Sequence, residues 1–168
     1  AERNFFTYAL FVSFFPQLVA GPIERSTNLL PQFKEYHKFD YDFAMSGFKL
    51  MLWGYFIKLC IADRASLYFY PVFNIINSHD GCSTLVASIL FTIQIYGDFA
   101  GYTFIAIGCG RILGFRLNDN CRRPYFAVSI FDFWRRWNIS LSTWLRDYVY
   151  FPLGGSRTTK AKTYRTLL

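Results

Sequence analysis

Histidine is scarce in this chain. Only His37 and His79 occur among 168 residues, and both lie in polar stretches that read as ordinary loops. The four cysteines, Cys60, Cys82, Cys109 and Cys121, stand far apart, with no C-x-x-C pair and no companion histidines. That spacing excludes the common zinc sites and a disulfide framework, so no metal ligands are expected. Cys60 and Cys109 sit inside apolar runs, where cysteine behaves as a small hydrophobe. Internal repeats and low-complexity segments are absent. G-C-G-R-I-L-G at 108–114 has the wrong glycine spacing for a dinucleotide loop and follows no strand, so it reads as helix packing and a helix end. No initiator methionine and no leader with a cleavage site are seen, and the chain opens within an apolar run. The expectation is a piece of a longer protein.

Aromatic residues are abundant instead. Twenty phenylalanines, twelve tyrosines and four tryptophans are too many large rings for the interior of a soluble domain of this length. An apolar solvent with aromatic-rich interfaces accommodates them, so the expected class is an all-α, polytopic transmembrane helical bundle with interfacial amphipathic helices. The net charge of +7 fits anionic lipid headgroups. Nucleic acid, which basic and aromatic residues can also bind, is not expected as a partner because it leaves the long apolar runs unexplained.

The whole of 1–168 is expected to be one membrane-domain fragment, with spans over about 5–20, 43–62 and 85–110. Interfacial helices are expected over about 66–76, which is short and broken by Pro71, and over about 127–150. Lys49 and Lys58 lie near the two ends of the second span and are expected to snorkel outward. The third would run about 39 Å as a helix, enough to cross with tilt. Gly97 and Gly101 form a G-x-x-x-G there, as do Gly110 and Gly114 beyond, and small residues so spaced admit a close neighbour helix. Asp98 is an acid midway along this span, with Gln94 and Tyr102 on its face at i,i±4. The three are candidate substrate contacts, or else a structural hydrogen bond between helices.

Lysine and arginine placement sets the sidedness. Eleven fall between Arg111 and Arg165, and Arg25, Lys34 and Lys38 lie in the 21–42 loop, whereas 63–84 holds only Arg64. The basic segments therefore belong inside and 63–84 outside.

The stretch FDFWRRWNISLSTWLRDYVYFPLGG, 131–155, holds three of the four tryptophans. On a helical wheel over 130–150, Ile130, Phe133, Trp134, Trp137, Leu141, Trp144, Leu145 and Tyr148 share one side. Asp132, Arg135, Arg136, Ser140, Ser142, Thr143, Arg146 and Asp147 fall on the other, and Asn138 on the border. Such a helix is either an interfacial anchor or the wall of a wet cavity.

Four runs taken in order resemble the membrane-bound O-acyltransferase (MBOAT) family. They are FFPQLVAGPIERSTNLLPQF, GYFIKLCIADR, YGDFAGYTFIAIG and RRPYFAVSIFDFWRRWNISLSTWLRDYVYFPLGG. The similarity is to the central region of its bacterial branch, related to alginate O-acetylation and teichoic acid D-alanyl transfer proteins.

The resemblance implies a multi-pass protein of the inner (plasma) membrane that moves an acyl group, expected to be acetyl, from a thioester donor to a hydroxyl of a cell-envelope polysaccharide or similar polymer. The donor would be acetyl-CoA or an acyl carrier, with no bound cofactor. Partners would be membrane lipids, the acyl donor and a periplasmic or extracellular acyltransferase. Asn138 occupies the position that is usually histidine in the bacterial branch, in R-R-W-H-I-S-L-S, and is the candidate catalytic residue. Asp132, Arg135, Arg136, Trp137 and Ser142 join Asp98, Gln94 and Tyr102 as candidate substrate contacts. A carboxamide does not titrate near neutrality, so the base would be the family's other histidine, expected beyond Leu168. The competing readings are a membrane transporter or lipid-handling protein, since broken helices and Asp98 could mark a path, and a catalytically incomplete scaffold of the same family.

Overall fold

The computed structural model describes residues 4–18, 21–75 and 78–155, and among these the regular structure is entirely helical. The chain forms two compact units. One takes in the residues up to Gly21 and Arg25–Leu117, and the other Pro22–Glu24 and the chain from Asn118 onward.

The first unit opens with α1 (Phe5–Ser13), which starts where the Asn4 side chain accepts the Phe6 and Thr7 N–H groups at 2.9 and 3.4 Å. The expected span over 5–20 is not one helix in the described part. Phe14 is extended, and α2 (Phe15–Leu18) begins anew. Pro16 accounts for the break, because its ring has no N–H for the Val12 carbonyl and would clash with it. Gln17 Nε2 donates instead to the Phe11 carbonyl at 2.6 Å. The buried Phe14 ring then meets Phe33, from α3 (Ser26–Lys34), and Phe115 edge-to-face at 5.3 and 5.2 Å.

Two helical runs among the described residues are long and apolar enough to cross a bilayer: Tyr41–Asn74, mean hydropathy 1.2, and Gly81–Ile112, mean hydropathy 1.3. The first comprises α4 (Tyr41–Tyr55), a π-helical turn (Phe56–Ala62) and α5 (Asp63–Asn74). It does not end near residue 62, and the segment expected as a separate interfacial helix over 66–76 continues it. Pro71 lies in its last turns, where a lost hydrogen bond disturbs little of the helix. Gly81–Ile112 is α6, capped by Asp80, whose carboxylate accepts the Ser83 N–H at 3.1 Å.

Glycine brings the two runs together. A methyl added at Gly47 would lie 2.6 Å from the Gly108 carbonyl oxygen, and one at Gly54 would lie 2.7 Å from that of Gly101. A methyl added at Gly97 would meet the Ala62 Cβ at 3.1 Å. The pairing order makes the helices antiparallel, with backbones in contact as small-residue membrane packing allows. Gly97 and Gly101 therefore act as a helix-packing pair. Gly114 instead sits past the end of α6 at φ 88°, so Gly110 and Gly114 mark a terminus. Farther along, the buried Phe69 packs edge-to-face on Phe91 at 5.2 Å. Leu52, Trp53, Phe56, Leu85 and Ile89 remain about half exposed, which an aqueous surface would not favour.

The second unit is laced by buried polar groups. Glu24 accepts the Asn118 backbone N–H at 2.5 Å and its Nδ2–H at 2.9 Å. After a 3-10 turn (Pro124–Phe126) comes α7 (Ile130–Arg136), opened by a reciprocal cap. Ser129 Oγ accepts the Asp132 N–H at 3.1 Å, and Asp132 Oδ2 accepts the Val128 N–H at 3.3 Å. α8 (Ile139–Leu145) follows and runs into a π-helical turn (Arg146–Tyr150). The single helix expected over 127–150 is thus two helices meeting at Trp137–Asn138. The wheel fails across this break, and Ser140, placed by it on the polar face, is buried.

Candidate functional site

The candidate residues fall into two groups, one in each unit. In the first unit, Asp98 Oδ1 lies 2.6 Å from Lys58 Nζ, and its Oδ2 accepts from Gln94 Nε2 at 2.7 Å. The same ammonium donates to Asp63 Oδ1 at 2.5 Å and lies 5.5 Å from the Tyr102 ring centre. Asp98, Gln94 and Tyr102 are therefore brought together, around a lysine that sequence reasoning sent to the membrane surface. Because Tyr41–Asn74 is longer than expected, Lys58 falls near its middle rather than about one turn from its end. Lys58 and Asp63 were missed. The usable signal was two opposite charges, Lys58 and Asp98, each deep in an apolar run.

In the second unit, α7 holds Asp132, Arg135 and Arg136 on consecutive turns. Arg136 Nε donates to Asp132 Oδ1 at 2.9 Å, which keeps the Asp132 carboxyl below the usual carboxylate range and pushes the guanidinium up. Arg135 stacks over Phe131 at 4.2 Å, leaving its rim of N–H donors directed elsewhere. Trp137 stacks on Phe133 at 5.9 Å. Ser142 Oγ reaches the Trp134 carbonyl only at 3.5 Å. Arg146 pairs with Asp147 at 2.9 Å.

Asn138 stands between the helices at φ 43°, ψ 56°; Arg123 is the other non-glycine residue at positive φ among those described. Asparagine enters this left-handed region more readily than most residues. Its carbonyl accepts the first bond of α8, from the Ser142 N–H at 3.0 Å, so it occupies the N-cap position. Its carboxamide makes no capping bond, and no other bond to it occurs among the described residues. Burial pushes the nearby Cys121 thiol up to about 11, opposed by the Asn138 backbone N–H.

Neither histidine belongs to this group. His37 Nε2 lies 2.6 Å from the Gln32 carbonyl oxygen, and its ring packs on Phe115 at 4.9 Å. His79 is exposed beside the Asp80 cap. Among the described residues, no three His, Cys, Asp or Glu side chains converge as metal ligands would.

Sequence comparison aligns the chain with known proteins over nearly its full length. The model of the MBOAT, membrane-bound O-acyltransferase, family matches residues 2–168. The chain is 43% identical over 167 residues to the probable alginate O-acetylase AlgI of Pseudomonas syringae pv. tomato, covering 99% of this chain and 32% of that protein. It is 40% identical to the peptidoglycan O-acetyltransferase of Helicobacter pylori, covering 98% of this chain and 32% of the relative. Against the teichoic acid D-alanyltransferase of Bacillus subtilis the identity is 32% over 142 residues, 83% of this chain and 36% of the relative. The chain thus spans about a third of the length of these curated relatives.

Proposed function

The chain belongs to the membrane-bound O-acyltransferase family, and we propose that the whole protein transfers an acyl group, acetyl by likeness to its relatives, to a hydroxyl of a cell-envelope polymer. The donor in this reading is a thioester, acetyl-CoA or an acyl carrier, and the protein is multi-pass in the inner membrane. A periplasmic or extracellular acyltransferase partner belongs to the same proposal. The basic residues on either side of the two long helices, against the short connection at 75–80 with none, support an inside location for 21–40 and 113–155.

The observation that carries this reading is Asn138, whose carboxamide is uncommitted on a left-handed turn beside Arg135, Arg136 and Trp137. An amide N–H can donate to the reacting carbonyl and bind it more tightly as negative charge grows on its oxygen. The amide oxygen can accept from the acceptor hydroxyl. A carboxamide cannot take the proton, and His37 is engaged elsewhere, so the base in this proposal is a histidine beyond Leu168. Arg135, with no ion pair or side-chain hydrogen bond among the described residues, suits a phosphate of the donor, while Arg136 is held by Asp132 as part of the scaffold. Trp137 and Ser142 flank Asn138 as candidate substrate contacts. Asp98 is ion-paired to Lys58 through Oδ1, which is buried and accepts no hydrogen bond among the described residues. Its Oδ2 accepts from Gln94, and the arrangement favours a helix staple over a substrate contact for that group.

The test is acetyl transfer by the full-length protein in detergent, normalised to folded material. Asn138→Ala is expected to lower turnover about 10²–10³-fold, the usual cost of one oxyanion donor. Asn138→His should be milder, because imidazole also donates. Unchanged turnover in Asn138→Ala would remove this residue from the site.

A further inference from the structure

An asparagine at a helix N-cap ordinarily spends its side chain on the first turn, accepting the N–H of the second or third helical residue. Asn138 does not, although it holds that position in α8. The first-turn donors are satisfied from eighteen residues earlier in the chain. The Asn120 backbone carbonyl accepts the Ile139 N–H at 3.1 Å. Its side-chain Oδ1 accepts the Ser140 N–H at 3.0 Å and the Ser140 hydroxyl at 2.8 Å. Asn120 is 2% exposed, and Ser140, whose Oγ also accepts the Ile23 N–H at 3.0 Å, is 7% exposed. One buried residue thus caps the first two N–H groups of α8.

The same strand of chain fixes the turn from its other side, where the Arg122 N–H donates to the Arg136 carbonyl at 2.9 Å. Bonds at Arg136, Ile139 and Ser140 bracket Asn138 on both flanks. A non-glycine residue persists in a left-handed conformation only where its surroundings over-determine it, and this bracket does so.

We propose that Asn120 is a positioning residue that caps α8 in place of Asn138, so that the Asn138 carboxamide stays free for the reacting group. The inference rests on the reading of Asn138 given above. Without the Asn120 side chain, the Ser140 N–H loses its acceptor, and the bracket that holds Asn138 in its left-handed conformation loses the two bonds made by Asn120 Oδ1. Asn138 is then released towards the extended backbone of an ordinary N-cap, whose side chain turns to its own helix.

The experiment is a double-mutant cycle in the full-length protein, reading thiol release from acetyl-CoA in detergent, with a thermal midpoint for each variant. Asn120→Ala should lower turnover towards the Asn138→Ala level, about 10²-fold, with KM for acetyl-CoA little changed. In an Asn138→Ala background the same substitution should lower turnover no further, though it should lower the thermal midpoint in both backgrounds. Asn120→Asp keeps an acceptor at the same place and should retain turnover within a few-fold. A purely structural Asn120 would lower turnover by the same factor in both backgrounds, and that result would overturn the proposal. So would a folded Asn120→Asp as impaired as Asn138→Ala, which decides the matter even where Asn120→Ala does not fold. No acetyl transfer by the native protein would overturn the acyl-transfer reading. Normal turnover in Asn138→Ala itself would remove Asn138 from the site and overturn this inference while leaving that reading standing. A loss there with none in Asn120→Ala would overturn the inference alone.

Discussion

Lys58 Nζ lies 2.6 Å from Asp98 Oδ1 and 2.5 Å from Asp63 Oδ1, so one ammonium joins two carboxylates near the middle of two antiparallel helices. In an apolar environment a charge is tolerable only while its partner remains. Lys58→Met strands two acids, whereas Asp98→Asn leaves Lys58 still paired with Asp63. Lys58→Met is therefore expected to destabilise the protein by about 2 kcal/mol or more, and Asp98→Asn by less. Thermal unfolding in detergent reads the difference. Equal loss from both would show that the two carboxylates do not share the lysine.

The glycine contacts make a second, purely steric prediction. Gly54→Val forces apart backbones already touching through the Gly101 carbonyl and should cost about 1–3 kcal/mol. Gly81→Ala, whose added methyl meets nothing within 4 Å, should leave stability unchanged or raise it slightly. A thermal midpoint unmoved by Gly54→Val would mean that the two helices do not pack through this face.

Acid should loosen α7. Asp132 is held below the ordinary carboxylate range, chiefly by the Arg136 hydrogen bond, so its contribution is complete above that range and is lost as pH falls through the depressed value. Protection of the amides in 130–136, taken relative to the intrinsic exchange rate at each pH, should therefore fall as the pH drops below the ordinary aspartate range. Asp132→Asn should be less protected at neutral pH and respond less to acid. Protection that is flat with pH in the native protein would contradict the assignment.

Sidedness can be read with a native thiol. Cys82 is exposed at the start of α6, next to the connection assigned outside. In a background lacking the other cysteines, an impermeant maleimide should label Cys82 in intact cells. It should spare a cysteine placed at the exposed Asp119 until the membrane is opened. The reverse pattern would invert the topology.

Much of the first unit was legible because its signals are local. The apolar run from 85 and the small pair Gly97 and Gly101 gave a long apolar helix and its packing face, observed as α6. The continuation of α4 into α5 was not legible, since Pro71 argues for a break and only its place in the last turns spares the helix. Asn138 fell on a wheel border because the wheel assumed a single helix. What divides that helix is a set of hydrogen bonds from 120–122, and no periodicity within 130–150 encodes them. Asn120 went unnoticed for the same reason, although an asparagine able to adopt positive φ in mid-pattern was a usable hint of a turn.

The π-helical turn at Phe56–Ala62 changes how positions along Tyr41–Asn74 should be counted. Such a turn holds about one residue more than an α-helical path over the same rise. Faces counted from Gly47 and Gly54 are therefore out of phase beyond Ala62, and Ala65 and Phe69 must be numbered from Asp63. A relative lacking one residue between 56 and 62 would align with a single gap inside a membrane helix. That gap would carry meaning, for it would mark a straight helix in which Lys58 and Asp63 no longer meet by the same geometry.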